Sequence, residues 1–258
     1  MEKTKISVAI IAQDEADRIG LLLASAAILA DEIVVVDSGS TDGTQELCKK
    51  AGAKVLFNTW PGHVAQKQFA LDSTTSEWIL SLDADESISG ALAQEILEAI
   101  KNVSPDVCAF SMPRLSRYLG RWIKHGGWYP DRKVRLIRRG SGTWKGEDPH
   151  DKLVVEGKIE RLTNPIFHYV YRGVSDQVVT INSFSDVYAR QQISRGSWFV
   201  IAGVFHAFGK FLECYLWKLG FLDGIAGLVI AMNSAWYIFL KHAKSWEAGL
   251  RERKKVDS

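Results

Sequence analysis

The sequence predicts an α/β fold: a doubly wound, mainly parallel sheet flanked by helices, followed by a helical C-terminal region. Three observations carry this. Apolar runs of strand length alternate with segments of helical periodicity as far as about Met112, the pattern of successive strand–helix units. Two of the runs, Glu32–Asp37 (EIVVVD) and Trp78–Asp83 (WILSLD), are apolar almost without interruption, as strands covered on both faces are. Both end in aspartate, and sheets of this kind bind ligands outside the carboxyl ends of their strands.

In chain order, Ile6–Ala12 (ISVAIIA) is the first expected strand, and Glu15 to about Leu29 a helix. Glu32–Asp37 is the second strand. The turn SGSTDGT follows, where Thr41 or Asp42 can cap a helix reaching about Ala51. Ala53–Phe57 is a third strand, a helix begins after Gly62, and Glu77–Leu82 is a fourth strand. Ile88–Asn102 reads as a helix and Val107–Met112 as a further strand. From Arg114 to about Arg161 regularity fades, with strand-like pieces at Lys133–Arg138 and Leu153–Glu156 separated by Gly, Pro and Trp. Loop-rich stretches on a rigid sheet are where substrate contacts concentrate. After Val174 the pattern is helical to the end.

Composition narrows the function. A net charge of +2 over 258 residues offers no general attraction for nucleic acid, which is not an expected partner. Cys48, Cys108 and Cys214 form no CxxC pair, which argues against a disulfide framework or zinc knuckle and fits a reducing, cytoplasmic compartment. The N-terminal apolar run reaches charge quickly and reads as a strand rather than a signal peptide. No GxGxxG follows a strand and no GxxxxGK[ST] occurs, so dinucleotide-binding and P-loop readings fail. Two local asymmetries remain. Arg114–Lys145 holds ten Arg or Lys against one acid, Asp131, and about Trp198–Leu240 is strongly apolar and aromatic.

The stretch WILSLDADE ends a buried strand in Asp83, Asp85 and Glu86. Mg²⁺ or Mn²⁺ would reconcile such mutually repelling carboxylates, since these ions take oxygen ligands, commonly one or two carboxylates plus substrate phosphates. The plainer reading is a solvated turn with a helix cap. Asp37, leaving its strand into SGSTDGT, can accept from a base N–H or ribose hydroxyl, or serve as an ordinary turn residue.

SVAIIAQDEADRI, DEIVVVDSGSTDGTQELC, WPGHVAQKQFAL, WILSLDADE, GGWYPDRKVRLIRR, PHDKL and GFLDGIAGLVIA occur in this order. Together they resemble an inverting family-2 glycosyltransferase of the lipopolysaccharide-core type, similar to core β-1,4-glucosyltransferases. The resemblance implies a GT-A fold with a UDP-sugar over the carboxyl edge of the sheet. It implies that Asp37 reads the base and that Asp85, with Asp83 and Ala84 nearby, meets metal and pyrophosphate. Ala12, Asp14 and Glu15 lie where the family's first loop meets the nucleoside, with Asp14 in place of the usual Asn. Lys67 stands where relatives often carry Arg, and Arg135 belongs to the basic block expected to steady the leaving group. Relatives often read His-Glu where this chain has His150-Asp151, which makes Asp151 the first-choice base, His150 its orienting partner, and Glu147 and Asp148 the runners-up. His168 resembles a family histidine and is either a core histidine or a metal ligand. Trp128 and Tyr129 are either a sugar platform or loop packing.

The expected division is a catalytic domain over 1–172, with a nucleotide-sugar half to about 112 and an acceptor-side half beyond it, and a helical region over 173–258. Leu219–Leu240 is about long enough to cross a bilayer, but Asp223 and Asn233 weigh against a lipid-exposed span. Aromatic residues with flanking Lys and Arg suit helices lying on the inner face of the cytoplasmic membrane, and helices packing on a second subunit are the other reading. The implied activity is transfer of a hexose, best read as glucose, to a lipopolysaccharide-core or related acceptor. A non-catalytic sugar-nucleotide-binding scaffold is the alternative.

Overall fold

The computed structural model describes residues 5–101, 103–146, 151–193 and 196–256. In chain order the elements are β1 (Ile6–Ala12), α1 (Ile19–Ala26), β2 (Glu32–Asp37), α2 (Thr44–Lys50), β3 (Lys54–Phe57), α3 (His63–Asp72), β4 (Trp78–Asp83), β5 (Glu86–Ile88), α4 (Gly90–Lys101) and β6 (Val107–Tyr118). They continue with β7 (Arg121–Trp122), β8 (Asp131–Arg138), β9 (Gly142–Lys145), β10 (Lys152–Val155), β11 (Lys158–Arg161), β12 (Ile166–His168), α5 (Val174–Gln191), α6 (Trp198–Leu212) and α7 (Gly224–Val256). A π-helical turn (Glu213–Trp217) and a 3₁₀ turn (Gly220–Asp223) separate the last two helices.

The chain forms two compact units. The first comprises residues up to Leu115 and Asp131–His168, the second Ser116–Pro130 and everything from Tyr169. The segment Ser116–Pro130 thus clusters with the C-terminal helices, whereas the sequence reading grouped it with the residues before 172.

The main sheet runs β3-β2-β1-β4-β8-β6-β12-β5. Its first four strands are parallel, while β4–β8, β8–β6 and β12–β5 are antiparallel. The parallel strands are sandwiched. Val8, Ile10, Val35, Leu80 and Leu82 face one core with α1 and α4, and Ala9, Val34, Val36 and Ile79 face another with α3 and Trp144. Burial on both faces is what makes EIVVVD and WILSLD continuous apolar runs, each full burial of a Val, Leu or Ile contributing roughly 1.5–3 kcal/mol.

Two expectations are corrected. Ile88 closes the short strand β5, and the helix begins at Gly90, with the Ser89 hydroxyl accepting from Leu92 N–H in the manner of an N-cap. Helix α1 starts at Ile19 rather than Glu15. The N–H groups of Asp14, Glu15 and Ala16 are taken by Ser40, Thr44 and Asp42 side chains.

In the second unit, Asp223 is buried and accepts from Lys124 N–H and His125 N–H. Asn233 donates to Gln177 Oε1, which also accepts from the Tyr118 hydroxyl. These two polar residues of the apolar tail are therefore held by protein partners. Trp128 packs against Tyr118 and Tyr171, with ring centres 5.7 and 6.3 Å apart, the loop-packing alternative of the sequence reading.

Candidate active site

Parallel register brings three strand ends together. Ala12 of β1 pairs with Asp37 of β2, and Ile11 with Asp83 of β4. The two loops above them are stapled to each other. Asp37, 1% exposed, accepts through Oδ1 from Gly39 N–H, Ser40 N–H and Gln45 Nε2, and through Oδ2 from Ser40 Oγ. Ser40 Oγ in turn accepts from Asp14 N–H at 2.9 Å. Asp14 sits in the left-handed region, φ 52°, which Asp and Asn tolerate best among residues with a side chain. Its Oδ1 accepts from Thr41 N–H at 2.8 Å. Asp42 Oδ1 holds Thr44 N–H and Oγ1, but the N-cap of α2 is Gly43, with no side-chain cap bond, so neither Thr41 nor Asp42 takes the expected cap position.

At the end of β4 the acids are matched by cations. Lys67 Nζ lies 2.8 Å from both Asp83 Oδ1 and Asp151 Oδ2. Arg135 Nη2 lies 2.6 Å from Asp83 Oδ2 and 3.1 Å from Glu86 Oε1. Arg114 spans Glu86 at 3.4 Å and Asp131 at 2.7 Å. A chain of alternating charge therefore runs Asp131–Arg114–Glu86–Arg135–Asp83–Lys67–Asp151. Burial pushes the Asp83 carboxyl up, but Arg135 and Lys67 outweigh it and hold the group well below the usual aspartate range. Burial pulls Arg135 down, yet Asp83 and Glu86 raise it above its ordinary value. The Trp144 ring underlies both cations, 4.8 Å from Lys67 Nζ and 5.6 Å from the Arg135 guanidinium carbon, within cation–π range. Arg135 Nε and Nη1 are buried and carry no hydrogen bond among the described residues.

Asp85 stands apart from this chain. The antiparallel pairing of β12 with β5 sets His168 opposite Glu86, and His168 Nε2 lies 3.3 Å from Asp85 Oδ2. Arg18, chelated by Glu15, is 3.9 Å from the same oxygen. A carboxylate oxygen and an imidazole nitrogen this close are the pair of described residues that would hold a divalent ion. Asp83 has both oxygens engaged by cations. Among the described residues no group of three or more His, Cys, Asp or Glu is placed to hold a metal, so a bound divalent ion would have to draw most of its ligands from substrate and water oxygens.

The structure thus brings Lys67, Asp83, Arg135 and Asp151 into one network, with Ala84 buried between the two aspartates. It places Asp85 with His168, and Ala12, Asp14, Glu15 and Asp37 around the stapled loops. His150, Glu147 and Asp148 lie outside the described residues. Sequence reasoning missed Glu86, Arg114 and Trp144. Glu86 was visible as the third acid of DADE and Arg114 as the first cation of the basic block, but nothing local marked either as a site residue, and Trp144 had no signal at all.

A polar site of cation-matched carboxylates at the carboxyl edge of a parallel sheet is where enzymes of this fold class hold their ligands. Residues 7–162 match the Glycosyl transferase family 2 model, and the chain belongs to that family; it is a glycosyltransferase. It is 32% identical over 241 residues to the lipopolysaccharide core biosynthesis glycosyltransferase LpsC of Rhizobium meliloti, covering 88% of this chain and 87% of that one. An uncharacterized glycosyltransferase of Rickettsia typhi is 30% identical over 98% of this chain and 91% of its own. Among solved structures, glucosyl-3-phosphoglycerate synthase from Mycobacterium tuberculosis in complex with phosphoglyceric acid aligns with a TM-score of 0.48 at 16% identity. That alignment covers 65% of this chain and 72% of the other. GT-A architecture, a mixed sheet flanked by helices, is what the family assignment and the strand order agree on.

Proposed function

We propose that the protein transfers a hexose, with glucose the first candidate, from a UDP-sugar to a lipopolysaccharide-core or related envelope glycan by inverting single displacement. The observation that carries this is Lys67, which joins the strand-end Asp83 to Asp151 through two 2.8 Å contacts and so ties the nucleotide edge to the candidate base.

Asp85 and His168 would hold Mg²⁺ or Mn²⁺, which when bound supplies Lewis-acid stabilisation of the departing diphosphate. The stapled loops at Ala12–Glu15 and Ser38–Thr44 form the nucleoside floor, with the buried Asp37 shaping it from below. Lys67 and Arg135 are positive charges fixed before the donor arrives, and preorganised charge of this kind needs no reorganisation during reaction. Asp151 accepts the proton of the acceptor hydroxyl as it attacks the anomeric carbon, and the bond to the diphosphate breaks on the opposite face. A membrane-surface location on the cytoplasmic side, where the donor is made, is part of the same reading. In the most apolar 18-residue stretches of the spans Trp198–Trp217 and Gly220–Glu252 only 11% and 28% of residues are buried, with Trp198, Phe205, Trp217 and Ile225 exposed, as interface-lying helices require.

The test is a calorimetric binding and turnover screen with UDP-glucose, UDP-galactose and UDP-GlcNAc, each with and without Mn²⁺ or Mg²⁺. Metal-dependent binding of one donor should fall at least tenfold in Asp85→Ala. Asp151→Asn should bind the donor normally and lose transfer by roughly 10²–10⁴-fold. Equal binding without metal would retire the Asp85–His168 role.

A further inference from the structure

Within the C-terminal unit, the connector between α6 and α7 is built inside out. Over residues 216–225, Leu216, Trp217, Leu219, Phe221, Leu222 and Ile225 are all 44–78% exposed. Asp223, by contrast, is only 2% exposed. A turn that faces water places its acids outside and its large apolar residues inside. The apolar surface also runs on along both helices. Exposed Ile201, Phe205 and Phe208 lead to it on α6, and exposed Met232 and Trp236 continue it on α7, at helical spacing.

This inversion is held by specific contacts. Asp223 Oδ2 accepts from Lys124 N–H at 3.1 Å and His125 N–H at 2.8 Å, and Oδ1 lies 3.2 Å from His125 Nδ1. Gly126 N–H donates to Lys218 O at 2.8 Å. A Cβ at the buried Gly220 would lie 2.6 Å from the Cys214 carbonyl oxygen, so the chain turns too tightly there for a side chain. Leu219 before it sits at φ 56°, a left-handed backbone that apolar L-residues avoid. Strain of this kind persists where the surroundings over-determine it, often at binding sites.

A continuous exposed apolar surface marks either a protein or a membrane contact, and its charged border favours the second. Arg121 Nη2 lies 3.4 Å from Leu222 O and 3.8 Å from Asp223 Oδ1. Lys218 is exposed and paired with Glu213. Lys124 is exposed and makes no ion pair among the described residues. Cations beside exposed aromatic and aliphatic side chains match an anionic headgroup layer above acyl chains, where each Lys or Arg strengthens binding roughly fivefold. A symmetric contact with a second copy uses the same patch on both partners and would crowd these cations against their own counterparts.

Resting on the membrane-surface part of the reading above, we propose that this connector is the element that enters the bilayer interface. Trp217, Leu219, Phe221 and Ile225 insert at the acyl boundary, and Arg121 and Lys124 meet the phosphates of anionic phospholipids. The test sediments the full chain with phosphatidylcholine vesicles, with and without phosphatidylglycerol. Binding should be at least tenfold tighter on the anionic vesicles. Trp217→Asp/Ile225→Asp should lose at least tenfold on both kinds. Arg121→Gln/Lys124→Gln should lose at least fivefold on anionic vesicles only, and Lys124→Gln alone part of that, which guards against a folding defect from the Arg121 change. Trp217 fluorescence, taken as wild type minus Trp217→Phe, should be quenched by brominated acyl chains. Thermal unfolding, and UDP binding with Mg²⁺ by calorimetry, should be unchanged in every variant. Vesicle binding that survives the connector substitutions, indifference to lipid charge, or an unquenched Trp217 would each overturn the proposal while the membrane-surface reading stands. No vesicle binding by the wild type, with a dimer in sedimentation velocity that Trp217→Asp/Ile225→Asp dissociates, would give the surface to a second copy and retire both. Absence of UDP binding in the wild type would sink the donor reading alone.

Discussion

Replacing Arg135 by Met removes the central cation of the charged chain and conserves most of its volume. Arg135 is 3% exposed and serves two carboxylates, Asp83 at 2.6 Å and Glu86 at 3.1 Å. Breaking a buried pair by deleting one partner costs about 3–5 kcal/mol, because the remaining charge is left desolvated. Each carboxylate here keeps a second donor: Asp83 retains Lys67, and Glu86 retains Arg114 and the Asp83 N–H. The expected loss is therefore at the lower end, about 3 kcal/mol, or roughly a hundredfold in the folded-to-unfolded ratio. With a urea slope of about 1–3 kcal/mol/M, the midpoint should move down by at least about 1 M. Hydrogen exchange at the β1 and β4 amides would report on the unit concerned. Arg135→Met/Glu86→Gln removes one of the stranded charges and should be less destabilised than the sum of the single variants by at least about 1 kcal/mol. A single variant within about 0.5 kcal/mol of wild type, or strict additivity, would refute the idea that these groups act as one network.

Three further outcomes are expected. Glu95 accepts four hydrogen bonds from Thr163 and Asn164 at 2.7–2.9 Å, which fixes the turn leading into β12. Glu95→Ala should cost about 1–2 kcal/mol in thermal or urea unfolding. Burial raises the Glu95 carboxyl, but the Thr163 and Asn164 bonds outweigh it and lower it below its ordinary value. Its contribution is therefore fully present above about pH 4.3, the unfolded value, and is lost as pH falls through the folded one. The gap between wild type and variant should accordingly narrow below about pH 4. Asp14→Asn should stay within about 0.5 kcal/mol of wild type in urea unfolding, because the amide oxygen can accept from Thr41 and Asn tolerates the same backbone. Asp14→Ala should lose about 1 kcal/mol or more. Burial, and then Asp37, push the Cys48 thiol up to about 11, so Ellman's reagent should titrate Cys108 in the native chain and reach the buried Cys48 and Cys214 only on unfolding.

The parallel half of the sheet was legible because burial on both faces leaves a mark in every residue of a strand, as in Val34–Val36. The acids at 83 and 85 were legible because carboxylates following such a run demand a partner. The partners themselves were not. Strand β5 has three residues and exists through pairing with β12, a contact between distant parts of the chain that local periodicity cannot signal. The same holds for Arg114 and Trp144, which meet Glu86 and Lys67 only after the sheet is assembled. Helix α1 lost its expected first turn to a tertiary competitor, the side chains of Ser40, Asp42 and Thr44. A strand that ends in WILSLD also reads alike whether its neighbour is parallel or antiparallel, so the antiparallel β4–β8 pairing left no trace in the apolar run.

Buried ion pairs are seldom retained for stability, since desolvation consumes much of their attraction and apolar replacements are often at least as stable. The chain from Asp131 to Asp151 therefore calls for another reason. Each of its cations touches two carboxylates, and each interior carboxylate touches two cations, so no interior group rests on a single contact. A structure so shared holds Lys67 and Arg135 in place with no nucleotide present, and Trp144 sets their height beneath the strand end. On the proposed reading, an arriving diphosphate meets cations already desolvated and oriented. It then competes with Asp83 and Asp151 for Lys67, and the carboxylate released on the acceptor side is the one assigned to take the proton. Donor binding and readiness of the base are in this way coupled through a single ammonium. Lys67→Met should accordingly impair transfer more than it impairs UDP binding. Loss of both to the same degree would reduce Lys67 to a phosphate contact.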